Sequence, residues 1–274
     1  MQPCPLCRAV HRTTLYRRTR SGDIHRCTAC GFVYADPTGG TAGPGLPHCK
    51  DSIEVYELNA AHRLALLKTA TGIAGGRLLD VGCFDGSFML AAQKHGFAVE
   101  GVEPEAEPAA TARSRGLTVQ QTTFEQATFD GRFDVIALMH CLEHLPDPWA
   151  ALERARDLIE PGGALLIELP NFDCLSRRVL GRRWRQFIHD HPQFFEPATL
   201  RRLLERAGFE TRLIRPVGKI ASLRLLADRV ERYYSGAMGR ALRRGFDAVG
   251  WTDRAISLNL GDIMLAVATP IPRA

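Results

Sequence analysis

The chain predicts an α/β fold: a doubly wound, mostly parallel sheet with a small module ahead of it. Three observations carry that expectation. Strand-like and helix-like stretches alternate from Arg77 onward. A glycine-punctuated turn, "LLDVGCFDGSF" at residues 78 to 88, follows the first of the strands. Two close cysteine pairs stand near the N-terminus, well separated from the alternating region.

The cysteine pairs come first. Cys4 and Cys7 lie in "CPLC", and Cys27 and Cys30 in "CTAC". The spacing C-x2-C-x19-C-x2-C suits two tight knuckles that present four thiolates to one tetrahedral zinc. Residues 1 to 35 therefore read as a zinc-ribbon-like module, too short to fold on a core of its own without the metal. A redox pair or four unrelated thiols is the plainer alternative. Cys49, Cys83, Cys141 and Cys174 show no such pairing, and Cys83 and Cys141 read as packing residues. "DPTGGTAGPGLP" opens a glycine- and proline-rich linker over residues 36 to 54.

A helix is expected from Val55 to Ala70, its apolar face formed by Leu58, Ala61, Leu64, Ala65 and Leu67. Strands follow at 77–82, 97–103, 117–121, 133–139 and 164–169, with helices at 86–95, 105–115 and 147–160 between them. That alternation implies βαβ units and a parallel sheet covered on both faces. "TLRRLLERAGFE" reads as a helix stopped by Gly208, then a strand near 209–215. A helical cap insertion spans about 220–249, with Ile220, Leu223, Leu226, Val230 and Tyr233 on its apolar face. "IMLAVAT" supplies a last strand, antiparallel to the rest.

Composition is ordinary for a globular chain of 274 residues, 45% hydrophobic and 24% charged. The net charge of +5 is compatible with an anionic ligand and does not demand nucleic acid. The start lacks the layout of a signal peptide, and no apolar run reaches membrane-spanning length, so a cytoplasmic protein is expected.

Four stretches in order resemble the class I S-adenosylmethionine-dependent methyltransferases, whose sheet is Rossmann-like. They are "LLDVGCFDGSF", "VEGVEPE", "FDVIALMHCLEHLPDP" and "LIEPGGALLIELPN". "HPQFFEPATLRRLLERAGFE" is similar to a segment of the subgroup related to ubiquinone-type and sugar methyltransferases, some of which carry an N-terminal zinc module. The resemblance covers roughly residues 55 to 270 and implies a methyltransferase domain over 55–274. It implies S-adenosylmethionine as cofactor, bound by Asp80, Gly82, Cys83, Phe84 and Gly86 of the first loop. Glu103 and Pro104, Thr123 and Phe124, and Met139 complete the implied set. From the residues alone, Glu103 ends the second strand, where one carboxylate accepts from two vicinal ribose hydroxyls. Phe124 reads equally well as a core residue. Phe84 and Ser87 stand where a pyrophosphate-binding loop would use further glycines, which argues against a nicotinamide-dependent oxidoreductase.

Acceptor chemistry is expected after the fourth strand. His140, Glu143 and His144 share one face of a helical turn, as a base with its orienting partner or as ligands to a second divalent ion. The subgroup's pattern has an acid where His140 stands, which argues against magnesium. His191 is a second candidate base, with His189 beside it. "SRRVLGRRWRQ", residues 176 to 186, holds five arginines and no acid. It reads as a solvated face over packed Leu175, Val179 and Leu180, or as an anion-binding patch with Trp184 stacking on a ring. The expected function is methyl transfer to an oxygen or carbon of a small molecule or sugar, an anionic one if the patch is functional. RNA methylation, or an inactive zinc-containing adaptor for nucleic acid or protein, is the alternative. The oligomeric state is not legible.

Overall fold

The computed structural model describes residues 3–36 and 53–272. The chain opens with an antiparallel meander, β1 (Arg12–Thr19), β2 (Gly22–Cys27) and β3 (Val33–Ala35). Most of the expected linker, with Cys49, lies outside the described residues, and Ile53 and Glu54 already belong to helix α1 (Ile53–Thr71). The alternation follows: β4 (Gly76–Val81), α2 (Ser87–Lys94), β5 (Phe97–Val102), α3 (Ala106–Ser114), β6 (Thr118–Gln120) and β7 (Phe133–Met139). Then come α4 (Pro148–Leu158), β8 (Ile159–Pro170), the short α5 (Leu175–Leu180), β9 (Gln193–Phe194) and α6 (Pro197–Arg206). The last part holds β10 (Phe209–Pro216), β11 (Lys219–Ser222), α7 (Leu223–Tyr233), α8 (Gly236–Ala248), β12 (Ala255–Leu258) and β13 (Ile263–Pro270).

The main sheet runs in the order β10-β13-β8-β7-β4-β5-β6. β4 to β8 pair in parallel, and β13 enters antiparallel between β8 and β10. The strand order reverses around β4, so the loops after β4 and β7 open side by side at one end of the sheet. Ligands of such sheets bind there.

Two apolar layers cover this sheet. One contains residues of α2 and α3 together with Leu64 and Leu67 of α1. Its buried face includes Arg63, while Leu58 is exposed, so the helix is turned from the stripe read in the sequence. The other layer combines α4 and α6 with Cys4, Leu6, Cys27, Phe32 and Tyr34 of the N-terminal module. β3 also pairs with β9, Val33 opposite Phe194, so β1, β2 and β3 share a four-stranded sheet with the later segment. Arg26 adds a forked ion pair to Glu196 at 2.5 and 3.1 Å.

The segment after β8 inverts one expectation. Leu175 and Val179 face solvent, and Arg177 turns inward over the Phe172 ring, donating to the Phe172 carbonyl and to Tyr16 Oη. Trp184 is buried among Phe172, Phe187 and Phe194, so it is a core residue and not a platform for a ligand ring. The reason is that β1 to β3 bring Tyr16, Ile24 and Val33 to this place, giving the arginine stem and the indole an apolar wall. The insertion likewise starts as strand: residues 219–222 form a ribbon with β12, and Ser222 then caps α7 by accepting from Leu225 N–H.

Trp184→Ala removes a large buried ring from the seam between the two sheets. It should cost about 3–5 kcal/mol, read as a lower denaturation midpoint.

Candidate active site at the carboxyl ends of the parallel strands

The loop after β4 is shaped by backbone geometry. Gly82 (φ 71°), Phe84 (φ 50°) and Gly86 (φ 76°) all adopt the left-handed conformation. A Cβ on Gly86 would stand 2.2 Å from Leu117, and one on Gly82 would stand 3.0 Å from Cys141 Sγ. The second contact shows that the loops after β4 and β7 touch. Phe84 occupies a position that glycine adopts most easily, and its backbone N–H donates to Glu103 Oε2 at 2.9 Å. Glu105 N–H donates to Glu103 Oε1, also at 2.9 Å. Each oxygen of this buried carboxylate keeps a lone pair for a hydroxyl. Cys83 is buried and Met139 partly buried, whereas Pro104 and Thr123 are exposed. Phe124 is a core residue, with Arg154 over its ring.

Asp80, at the end of β4, is buried, and its Oδ1 has no hydrogen-bond partner among the described residues. Burial, with Glu103 nearby, pushes its pKa up to about 8. At neutral pH it holds a proton that a neighbouring cation would displace.

The turn after β7 gathers the histidines. His140 adopts φ 57° and its N–H donates to the Glu168 carbonyl at 2.7 Å. This left-handed turn puts its Nε2 3.0 Å from Glu168 Oε1 and its Nδ1 3.5 Å from Glu143 Oε1. Burial opposes its charge, but the two carboxylates prevail and raise its pKa. Glu143 is buried, and neither carboxylate oxygen has a hydrogen bond among the described residues. Burial would raise its pKa, yet the histidines beside it, His140 foremost, lower it. His144 is exposed and its Nδ1 lies 2.6 Å from the Asp190 carbonyl. His191 is buried, with Nδ1 3.0 Å from the Gln186 carbonyl. A carbonyl only accepts, so each ring carries a proton on Nδ1, and in the neutral tautomer Nε2 keeps the lone pair. Burial holds His191 neutral, its pKa pushed down to about 4. The two rings meet edge to face at 4.6 Å, and ligand atoms of Glu143, His144 and His191 lie within 4.8 Å of one another. Sequence spacing links His140, Glu143 and His144. The fold adds His191 from 47 positions along the chain, through Gln193 Nε2 donating to the Leu145 carbonyl at 2.5 Å.

Three residues here escaped the sequence reading. Glu168 on β8 pairs with buried Arg63 of α1, and Arg63 also donates to the Gly218 carbonyl at 2.9 Å. Lys219 follows Gly218 on β11, and its charge interacts with that of Glu168. Burial works against the Glu168 charge, but His140, Arg63 and Lys219 hold its pKa at about 2. An acid inside an apolar strand, "LLIELP", is the signal that could have found it.

At the other end of the module, Cys4, Cys7, Cys27 and Cys30 bring their sulfurs within 4.8 Å of one another. The two knuckles repeat one hydrogen-bond pattern. Cys4 N–H donates to Ala9 and Arg8 N–H to Cys4; Cys27 N–H donates to Phe32 and Gly31 N–H to Cys27. Arg8 (φ 63°) and Gly31 (φ 77°) occupy the same left-handed place in each. The Cys4–Cys30 and Cys7–Cys27 sulfur separations are 3.6 and 3.5 Å. Tetrahedral zinc at thiolate distances of about 2.3 Å requires about 3.8 Å, so the donors fit that ion.

Parallel strands in this order, a glycine turn after the first and an acid ending the second define a class I S-adenosylmethionine-dependent methyltransferase. A family profile described as a methyltransferase domain matches residues 54–214, and the chain belongs to that family. It is 31% identical over 173 residues to the ubiquinone biosynthesis O-methyltransferase of Histophilus somni (strain 2336), covering 56% of this chain and 73% of that one. The Vibrio parahaemolyticus counterpart is 28% identical over 167 residues, covering 56% and 71%. Among solved structures, a putative methyltransferase from Bacillus halodurans superposes with a TM-score of 0.55 at 19% identity, covering 76% of this chain and 99% of that one. A possible histamine N-methyltransferase from Thermotoga maritima gives 0.52 at 19% identity, covering 79% and 91%. At that identity the likeness is one of fold. Among the described residues no helix is long and apolar enough to cross a membrane.

Two outcomes follow for the cofactor loop. Glu103→Ala should weaken S-adenosylmethionine binding at least tenfold in calorimetry, because a charge-assisted hydrogen bond contributes about 1.5–3 kcal/mol. For Asp80, the pKa in the folded state exceeds the ordinary 3.8. The folded chain then binds the extra proton, and stability should fall as pH rises from about 4 towards about 8. Binding of the cationic cofactor near pH 7 should release a proton, seen as buffer-dependent enthalpy, and Asp80→Asn should abolish both effects.

Proposed function

We propose that the protein transfers a methyl group from S-adenosylmethionine to an oxygen, or alternatively a carbon, of a small-molecule acceptor of sugar type. The observation that carries this reading is the cluster of Glu143, His144 and His191 beside the cofactor loop, with both imidazoles pinned through Nδ1. Methyl transfer to a hydroxyl needs a base at the acceptor proton. His144 is the exposed member, so its Nε2 is the base in this reading. Glu143 carries the negative charge that steadies the imidazolium formed, and His191 holds the far wall as a neutral ring. The O-methyltransferase names of the relatives support oxygen as the atom methylated.

The same cluster supports a second reading. Two imidazole nitrogens and a buried carboxylate without hydrogen bonds form a donor set for a divalent ion, each histidine oriented by a backbone carbonyl. Imidazole donors favour zinc or iron over magnesium. In the N-terminal module, the four cysteines would hold a structural zinc, and its loss would loosen the sheet that β3 shares with β9.

The test uses radiolabelled S-adenosylmethionine with nucleotide-linked sugars as acceptors. His144→Ala should slow turnover by about a hundred- to ten-thousand-fold while cofactor affinity stays nearly intact. Full activity in both His144→Ala and His191→Ala would dismiss the base assignment. Added divalent ion that restores a chelated enzyme with its cysteine-bound zinc intact would favour the metal reading over the base.

Elemental analysis should find about one zinc per chain in addition to any ion in the histidine cluster. Cys4→Ser combined with Cys27→Ser should remove it, and retention of that zinc would contradict the assignment.

A further inference from the structure

A helix of a globular protein ordinarily buries its apolar stripe. In the insertion between β11 and β12, α8 does the reverse. Gly239 is the buried residue of α8, and a Cβ there would overlap Glu231 of α7. Around that contact Arg240 meets Glu231 at 3.4 Å, and Arg243 meets Asp228 and, at 3.7 Å, Glu231. The seam between the two helices is therefore built from ion pairs. Met238, Leu242, Gly245 and Val249 follow one another at four-three-four spacing, which aligns them along a different side of α8 and its C-cap. With Ala241 and Phe246 they line an open groove of about 450 Å³. Met238 is 50% exposed and Val249 57%, so this apolar side meets water.

Trp251 extends the stripe. Its N–H donates to the Phe246 carbonyl at 2.9 Å, which holds the residue against the end of the helix, and it is half exposed. Arg254 lies over its ring, 5.2 Å from the centroid. Arg244 is exposed and has no ion-pair partner among the described residues. Counting paired and unpaired groups alike, residues 223–254 hold seven arginines against four acids, so three of the chain's net +5 charges sit on this insertion. An apolar stripe that ends in tryptophan and is flanked by arginine suits a helix lying in a lipid–water interface. At 13 residues, about 20 Å, α8 is too short for a hydrocarbon core of about 30 Å, so it fits along such a surface and not across it.

We propose that α8 and Trp251 dock on the surface of an anionic lipid bilayer. Charge decides between this occupant and a second copy of the chain. A two-fold pair centred on the stripe, between Leu242 and Gly245, would bring Arg244 level with Arg244 of the other copy, and facing like charges are costly. An anionic surface attracts both Arg244 and Arg254. The insertion leaves the sheet at the end where the loops after β4 and β7 open, since Ile263 pairs opposite Pro170 at the carboxyl end of β8. The docked face thus belongs to the end of the sheet that carries the candidate site. The proposal stands independently of the methyltransferase reading.

The test is co-sedimentation of the full-length protein with vesicles at low salt. Vesicles of phosphatidylglycerol and phosphatidylcholine in equal parts should retain about tenfold more protein than phosphatidylcholine alone, and added salt should release it. Leu242→Glu and Arg244→Glu should each lower retention about tenfold with circular dichroism unchanged, because both side chains are exposed. Leu58→Glu, at an exposed leucine of α1, should leave retention as it is. No retention on the mixed vesicles, equal retention on both kinds, or full retention of Leu242→Glu would overturn the proposal. So would a dimer that forms without lipid and that Leu242→Glu dissociates, because the face would then belong to a second copy.

Discussion

The buried carboxylate of Glu168 ties together parts of the chain that the sequence keeps far apart. It stands near the carboxyl end of β8 and is met by Arg63 from α1 and His140 from the turn after β7, with the charge of Lys219 on β11 acting on it as well. Burying an ionised carboxylate is costly unless it is paired and hydrogen-bonded. Those cationic neighbours are therefore constrained to arrive together. The left-handed turn at His140, the rotation of α1 that buries Arg63 and the strand that opens the insertion all serve that one charge. The turn that carries the histidine cluster inherits its shape from this arrangement.

The N-terminal module works on the same region from the opposite flank. Ser21 Oγ donates to the Ile188 carbonyl at 2.6 Å, and Ala35 N–H donates to Pro192 at 2.8 Å. Phe32 packs edge to face on Phe195. These contacts bracket His191, whose own ring is fixed by Gln186. The module is thus joined to the walls of the histidine cluster as well as to the back of the sheet.

Local pattern revealed much of this fold in advance. Strands β4, β5 and β7 and the helices between them follow from apolar periodicity and from glycine at the turns, all of which act over a few residues. The turn after β4 was legible for the same reason, since Asp80, Gly82 and Glu103 sit at strand ends whose position the pattern fixes. What stayed hidden depended on distant partners. Arg177 looks solvent-facing until Phe172 and Tyr16 give its stem an apolar wall. Trp184 looks free until the second sheet closes over it. Arg63 and Glu168 are 105 positions apart, and neither residue alone announces the pair. Phe124 illustrates an ambiguity that only packing resolves: the same ring suits a ligand wall or a core, and the fold puts it in the core.

The pairing of β3 with β9 also has a consequence for the order in which the protein takes shape on the ribosome. The partner strand, Gln193–Phe194, is made about 160 residues after β3. At synthesis rates of about 5–20 residues per second, the first three strands wait roughly 8–30 s for it. During that interval Phe32 and Val33 have no permanent cover, because their apolar neighbours Phe195 and Phe194 do not yet exist. The four cysteines, by contrast, are complete by position 30. Whatever gathers those thiols early fixes the two knuckles long before the partner strand of β3 exists.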